Sequence, residues 1–185
     1  MAYEGGGRLF GSRDGFGLEF HVERDPGLLC VDVFVGGVHV NAWDNAFYPP
    51  LLVKKLGDEL PRFRGAGAAP VGFSSPVEAF LVAESWAYDE VGEEPEVGEA
   101  LARWAFLDWG ECTNDVRAFA FPDGEWLHLG CRLYEEGRPA LGAPTVASVS
   151  RVSFVETLEQ GLDVAEREWA VRLAAIMARY EEARE

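Results

Sequence analysis

Two glycines, Gly36 and Gly37, stand between two runs rich in β-branched residues, Leu28 to Val35 and Val38 to Trp43. Both residues of a two-residue turn can then take positive φ, so the segment is expected to fold as a tight β-hairpin. The register follows from the turn. Val35 is expected opposite Val38, Phe34 opposite His39, Val33 opposite Val40 and Asp32 opposite Asn41. Leu29, Val31, Val33, Val35, Val38, Val40 and Ala42 then share a core face, because side chains alternate along a strand. Cys30, Asp32, Phe34, His39, Asn41 and Trp43 share the other.

Similar logic extends outward from this hairpin. Phe16, Leu18, Phe20 and Val22 alternate with Gly17, Glu19, His21 and Glu23, the period of a half-buried strand. Asp25-Pro26-Gly27 is a turn between that strand and the hairpin. Further along, Val116 to Phe121 and Trp126 to Tyr134 flank Pro122-Asp123-Gly124-Glu125, which predicts a second hairpin. Its expected register sets Phe121 opposite Trp126 and Phe119 opposite His128. Thr145 to Val152 alternates weakly and can add a strand.

Helical signals lie between and after these strands. Leu51, Leu52, Leu56 and Leu60 follow Pro49-Pro50 and predict a short helix that Pro61 ends. Gly65 to Pro70 reads as a flexible connector. Ser75-Pro76-Val77-Glu78 carries a helix-start pattern, although residues 76–88 can be read as helix or strand. Leu101 to Leu107 reads as a buried strand. From Ser153, a capping-box pattern, the apolar positions Leu158, Leu162, Ala165, Trp169, Leu173, Ile176 and Tyr180 step by 3 or 4. A long amphipathic helix over 153–184 is expected, with Gly161 a place where it can bend. The fold class is therefore α+β: an antiparallel sheet built from hairpins, short inserted helices, and the C-terminal helix packed on one face. A chain of 185 residues suits one such domain, with residues 1–14 a flexible N-terminus.

Charge narrows the partners. The chain has 16 basic and 32 acidic side chains, net −16, which disfavours nucleic acid and anionic membrane surfaces. The excess is local. Residues 78–136 hold 15 acids against 3 bases, net −12. Asp89 to Glu99, with Gly92, Pro95 and Gly98, reads as an exposed acidic loop. A field of this kind accelerates encounter with a basic protein. The candidate binding residues are Glu84, Trp86, Tyr88, Asp89, Glu90, Glu93, Glu94, Glu96, Glu99, Trp109 and Glu111, with the acids steering and the aromatics anchoring.

Other chemistry is less well supported by pattern. Asp108, Glu111 and Asp115 beside Trp109 are compatible with acid/base work on a glycosidic bond, which keeps a small carbohydrate-active enzyme or glycan-binding domain as the alternative. Cys30, Asp32, His39 and Asp44 can be drawn as a nucleophile cluster, but the register points to an ordinary strand face. Phe119, Phe121, Trp126 and His128 are expected to be core beneath the C-terminal helix. Gly5-Gly6-Gly7 lacks the context of a phosphate-binding loop. The three histidines and three cysteines show no metal-ligand spacing, so no metal, cofactor or catalytic residue is expected. Met1 to Phe10 has no secretory pattern and no apolar run approaches a membrane span, so a cytoplasmic location is expected. The C-terminal stripe leaves a homodimer possible.

Two segments together resemble a known group. V-F-V-G-G-V-H-V-N-A-W-D (Val33 to Asp44) resembles the strand–turn–strand opening of small bacterial immunity proteins. L-D-W-G-E-C-T-N-D-V-R-A-F-A-F-P-D-G (Leu107 to Gly124) is similar to a W-G-x-x-T-D/N-x-V…F-x-D-G pattern in proteins of that type, the immunity protein 42-like group. The resemblance spans residues 28–165, without a counterpart for Asp89 to Glu99. It implies a non-enzymatic protein that neutralises a cognate toxin, often a basic nuclease, by blocking its active site.

Overall fold

In the computed structural model, residues 7–65, 73–89, 95–134 and 142–184 are described. Their strands form two antiparallel sheets. The first contains β1 (Arg8–Gly11), β2 (Phe16–His21), β3 (Leu29–Val35) and β4 (Val38–His39) in that order, with β5 (Ala46–Phe47) also pairing with β3. The second is β6 (Val116–Asp123), β7 (Trp126–Leu133) and β8 (Thr145–Ser150). Helices α1 (Pro49–Arg64), α2 (Pro76–Asp89), α3 (Pro95–Ala102) and α4 (Arg151–Glu182) complete the α+β architecture.

The first hairpin turns at Gly36-Gly37 with φ of 58° and 86°, and Val35 and Phe34 pair with Val38 and His39 as expected. The second strand stops there, however. Only Val40 N–H continues the ladder, donating to Val33 O at 2.9 Å. Asn41 then inserts its side-chain amide in place of a backbone. Its Oδ1 accepts from Val33 N–H and its Nδ2 donates to Val31 O, both at 2.8 Å and both buried. The chain can therefore leave the sheet over residues 40–45 and return as β5, which pairs Phe47 with Leu29. Ala42 and Trp43, expected on strand faces, are exposed instead. Arg8–Gly11, expected within a flexible N-terminus, is β1. Its Phe10 pairs opposite Leu18 and packs edge-on against Phe20, which anchors it.

The second hairpin turns on two residues where four were expected, because β6 runs on through Pro122 and Asp123. Asp123 pairs with Trp126, Phe121 with His128 and Phe119 with Gly130, so Gly124 and Glu125 alone make the turn. Gly124 has φ of 59°, which suits the first central position of a two-residue turn. A shift of two residues preserves the faces. Ala118, Ala120, Leu127, Leu129 and Cys131 join the main core, while Phe119 and Phe121 face the other way. Their cover is α2, not the C-terminal helix. Phe80 meets Phe119 edge-on at 5.4 Å, with Ala79, Ala83 and Leu101 beside it. Gly130 permits the approach, since a Cβ there would lie 2.6 Å from Phe80 Cδ2.

Three boundaries also differ. α1 runs through Pro61 to Arg64, because Phe63 is drawn into the core against Phe106 and Phe154. Leu101 to Leu107 is not a strand. Leu101 and Ala102 end α3, Ala105 makes a single bridge to Phe119, and Leu107 adopts φ of 64°, turning the chain away from the free edge of β6. α4 starts at Arg151, two residues early, since Ser150 rather than Ser153 is the cap: its Oγ accepts from Ser153 N–H at 3.1 Å.

α4 passes Gly161 without a break. That glycine lies on Leu18, where a Cβ would come within 2.7 Å of the leucine Cδ1. Phe154, Leu158, Val164 and Ala165 are buried against the first sheet and α1, whereas Leu173, Ile176 and Tyr180 of the expected stripe are exposed. Arg172 marks the divide: its Nη2 donates to the carbonyls of Val22, Asp25 and Leu28, clamping the β2–β3 turn to the helix.

Candidate functional site

The helix pair α2–α3 carries most of the expected binding residues that the structure describes. Ser75 caps α2, with its Oγ accepting from Glu78 N–H at 3.2 Å, and Pro76 opens it. These start signals settle 76–88 as helix. Ala79, Phe80 and Ala83 turn inward. Val77, Leu81 and Tyr88 recur at steps of 4 and 7 on an outer stripe, and are 41%, 43% and 50% exposed. Part of the expected acidic loop is α3, on which Glu96 and Glu99 are exposed. Glu99 pairs with Arg103 at 2.7 Å. Asp89 is the last residue of α2. Glu90, Glu93 and Glu94 lie outside the described residues.

Glu84 does not belong to that surface. It is 7% exposed and sits among half-buried partners. Arg132 Nη1 donates to it at 2.9 Å, the Tyr134 hydroxyl donates to its other oxygen, and Arg117 Nη1 lies 3.9 Å away. The Arg117 guanidinium is held between the rings of Tyr88 and Tyr134, 3.8 Å from each centroid. The consequence for the surface is indirect. Two of the three bases in residues 78–136 are turned inward on Glu84, and the third, Arg103, is paired with Glu99. Glu78 and Glu96 keep their charge at the surface with no basic neighbour from this segment.

Trp86 and Trp109 are not free anchors. Trp86 is half-buried and packs α2 onto α3 at Gly98, where a Cβ would lie 2.8 Å from its own Cβ. Trp109 is 1% exposed and packs edge-on against Phe47. Glu111 is exposed on a 3-10 turn, Glu111–Thr113, which packs by β5 rather than by α2. Asp108 is exposed and paired with Lys55 at 2.8 Å, and Asp115 is exposed, so the carboxylates of that segment face outward. Among the described residues the carboxyl raised above its ordinary value is Glu59, pushed up by burial and eased by Arg62. The Trp109 indole N–H also favours its charged form without completing a hydrogen bond.

A second grouping was not expected from spacing. β2 and β3 pair with Glu19 opposite Asp32 and His21 opposite Cys30, so Glu19, His21 and Asp32 project from the outer face of the first sheet. One ligand atom from each lies within 4.8 Å of the others. His21 Nε2 donates to Asp32 Oδ2 at 2.9 Å, and Asn45 Nδ2 donates to Oδ1. His39 Nε2 lies 3.3 Å from Oδ1. Burial pushes the Asp32 carboxyl up, but the Asn45 and His21 hydrogen bonds and the nearby histidine charge outweigh it, leaving its pKa below the ordinary value. Asp44 instead bonds the amide of Ala46 at 3.0 Å, outside this group. The signal in sequence was the polar phase of two separate strands. Only the register between them brings the phases together.

A groove of about 820 Å³ runs between β2 and α4, with Phe20, Val22, Val164 and Val171 among Arg8, Arg24 and Arg167. The cysteines offer no nucleophile: burial raises the thiols of Cys30, Cys112 and Cys131, the last two to about 12. No described helix is long and apolar enough to cross a membrane. No known protein family matches the chain, and no curated protein or solved structure is significantly similar to it.

Proposed function

We propose that the protein is a non-enzymatic acidic binding protein whose α2–α3 face receives a basic protein, in the manner of an immunity protein that blocks the active site of a basic toxin. The observation that carries this reading is the apolar stripe of Val77, Leu81 and Tyr88 beside Glu78 and Glu96, in a segment whose bases are all already engaged. Acids without local counter-ions steer a cationic partner, and the exposed apolar side chains supply area to bury on contact. Membership of the immunity class rests on the resemblance of residues 28–165.

The test begins with capture of the partner from the native cell and continues with stopped-flow association. The combined substitution E78K/E96K/E99K should slow association about tenfold or more, and added salt should slow the wild type. Tyr88→Ala should act mainly on dissociation. A rate that is the same at low and high salt would overturn the reading. A second copy of the chain is the other reading with an observation behind it, since Leu173, Ile176, Met177 and Tyr180 are exposed on α4. Sedimentation as a monomer at high concentration would remove it.

A further inference from the structure

We infer that Glu19, His21 and Asp32 form a binding site for a divalent first-row transition-metal ion of the zinc type, with the imidazole of His39 as a fourth donor. The three side chains come from adjacent positions of one ladder, and their donor atoms already lie within 4.8 Å of one another. An ion at the centre of such a group reaches every donor at about 2.0–2.2 Å after small side-chain movements. All three side chains are largely buried, so little water competes for them.

His39 supplies an independent observation. Its Nε2 is buried and makes no hydrogen bond, although it lies 3.3 Å from Asp32 Oδ1. A buried polar atom without a partner is costly. Here the atom belongs to an imidazole held against the Phe34 ring, 4.9 Å between centroids, and directed at the same carboxylate that His21 addresses from the other oxygen. A cation on Asp32 would satisfy it as a ligand. In that state each histidine coordinates through Nε2 and carries its proton on Nδ1.

Donor chemistry selects the ion. Two carboxylates and two imidazoles suit zinc, iron(II), cobalt or nickel, whereas calcium and magnesium require oxygen throughout. Cys30 lies opposite His21 across the ladder but is not among the side chains whose donor atoms converge. Asn45 donates to Asp32 and orients it, as outer partners of metal ligands do. Gly7 closes the site from above: a Cβ there would lie 2.6 Å from His21 Cε1 and 2.7 Å from Glu19 Oε1. The glycine-rich start of the chain thus has a local reason at its last member. One cation already competes. The Arg13 guanidinium pairs with Glu19 and lies over the Phe34 ring, and with its side chain more than half exposed it can be displaced toward solvent.

The site is independent of the α2–α3 face and is tested on the full chain after chelator treatment. Titration with CoCl2 should give one equivalent of bound Co2+ with visible d–d absorption, displaced by ZnCl2, and one equivalent of ZnCl2 should raise the melting temperature. Asp32→Asn and His21→Ala should weaken binding by at least about tenfold, and His39→Ala by less. His128→Ala, which alters the other sheet, should bind as wild type. Should the ligand variants fail to fold, Arg13→Ala keeps the question open to decision, because loss of the competing guanidinium should tighten Co2+ binding several-fold. Absence of Co2+ absorption in the wild type, uptake unchanged in Asp32→Asn and His21→Ala, loss of uptake in His128→Ala, or no gain in Arg13→Ala would each overturn the site.

Discussion

Asn41 should be among the most sensitive polar residues of the chain. Its amide stands in for a missing strand, accepting from Val33 N–H and donating to Val31 O at 2.8 Å each. Asn41→Ala removes both partners at once and leaves a donor and an acceptor of β3 buried. An unsatisfied buried polar group costs about 1–3 kcal/mol, so the variant should lose about 2–5 kcal/mol. For a chain of this size that corresponds to a fall in melting temperature of about 5–15 °C. Urea unfolding followed by tryptophan fluorescence should show a lower midpoint with an unchanged slope. Asn41→Asp separates the two bonds. At neutral pH the carboxylate still accepts from Val33 N–H but opposes the Val31 carbonyl, and acidification should restore part of the loss as the protonated carboxyl becomes a donor. A loss below about 0.5 kcal/mol in Asn41→Ala would refute the reasoning, since it would mean that water or the backbone satisfies β3 without the amide.

Other positions give sharp expectations. Glu84→Ala leaves Arg132 and Arg117 without their buried partner and should destabilise by about 3–5 kcal/mol in urea titration. Gly36→Ala forces a Cβ to 2.9 Å from Thr145 Cγ2 at φ of 58°, whereas Gly37→Asn meets nothing within 4 Å and bears only the strain of φ 86°, which Asn tolerates better than most residues, so thermal unfolding should shift more for the first than for the second. Glu59 is raised above the ordinary 4.5 by burial, so its contribution to stability is greatest below that pH and falls as pH rises through the folded value. The stability of the wild type relative to Glu59→Gln should fall with rising pH across that window, and a relative stability that rises would contradict it.

What was readable in the sequence follows from how local each cause is. Gly36-Gly37 carries its turn geometry within two residues, and the hairpin formed with the expected register near the turn. Its far end did not, because a side-chain amide replaces the backbone at Asn41, and period-2 patterning cannot see that substitution. α2 was ambiguous by composition and was decided by Ser75 and Pro76, which act only on the helix start. Leu101 to Leu107 is apolar without a period, and the positive φ at Leu107 has no residue signature. The charge excess was legible as a number, but its surface was not. Glu84 sits among the acids in sequence and pairs with Arg117 and Arg132, while Glu19, His21 and Asp32 meet only through the pairing of two strands.

The order in which the chain is made gives α4 a further significance. The apolar faces of β1, β2 and β3 are complete by residue 35, yet Leu158, Gly161 and Ala165 cover part of that sheet only after more than 120 further residues. At about 5–20 residues per second the intervening 130 or so residues take on the order of 10 s to appear. During that interval Leu18 and Phe20 lack the cover that Gly161 of α4 brings to them, and the Arg172 clamp on the β2–β3 turn closes still later. A nascent chain arrested before residue 150 therefore carries the apolar face of its first sheet without the cover that α4 supplies.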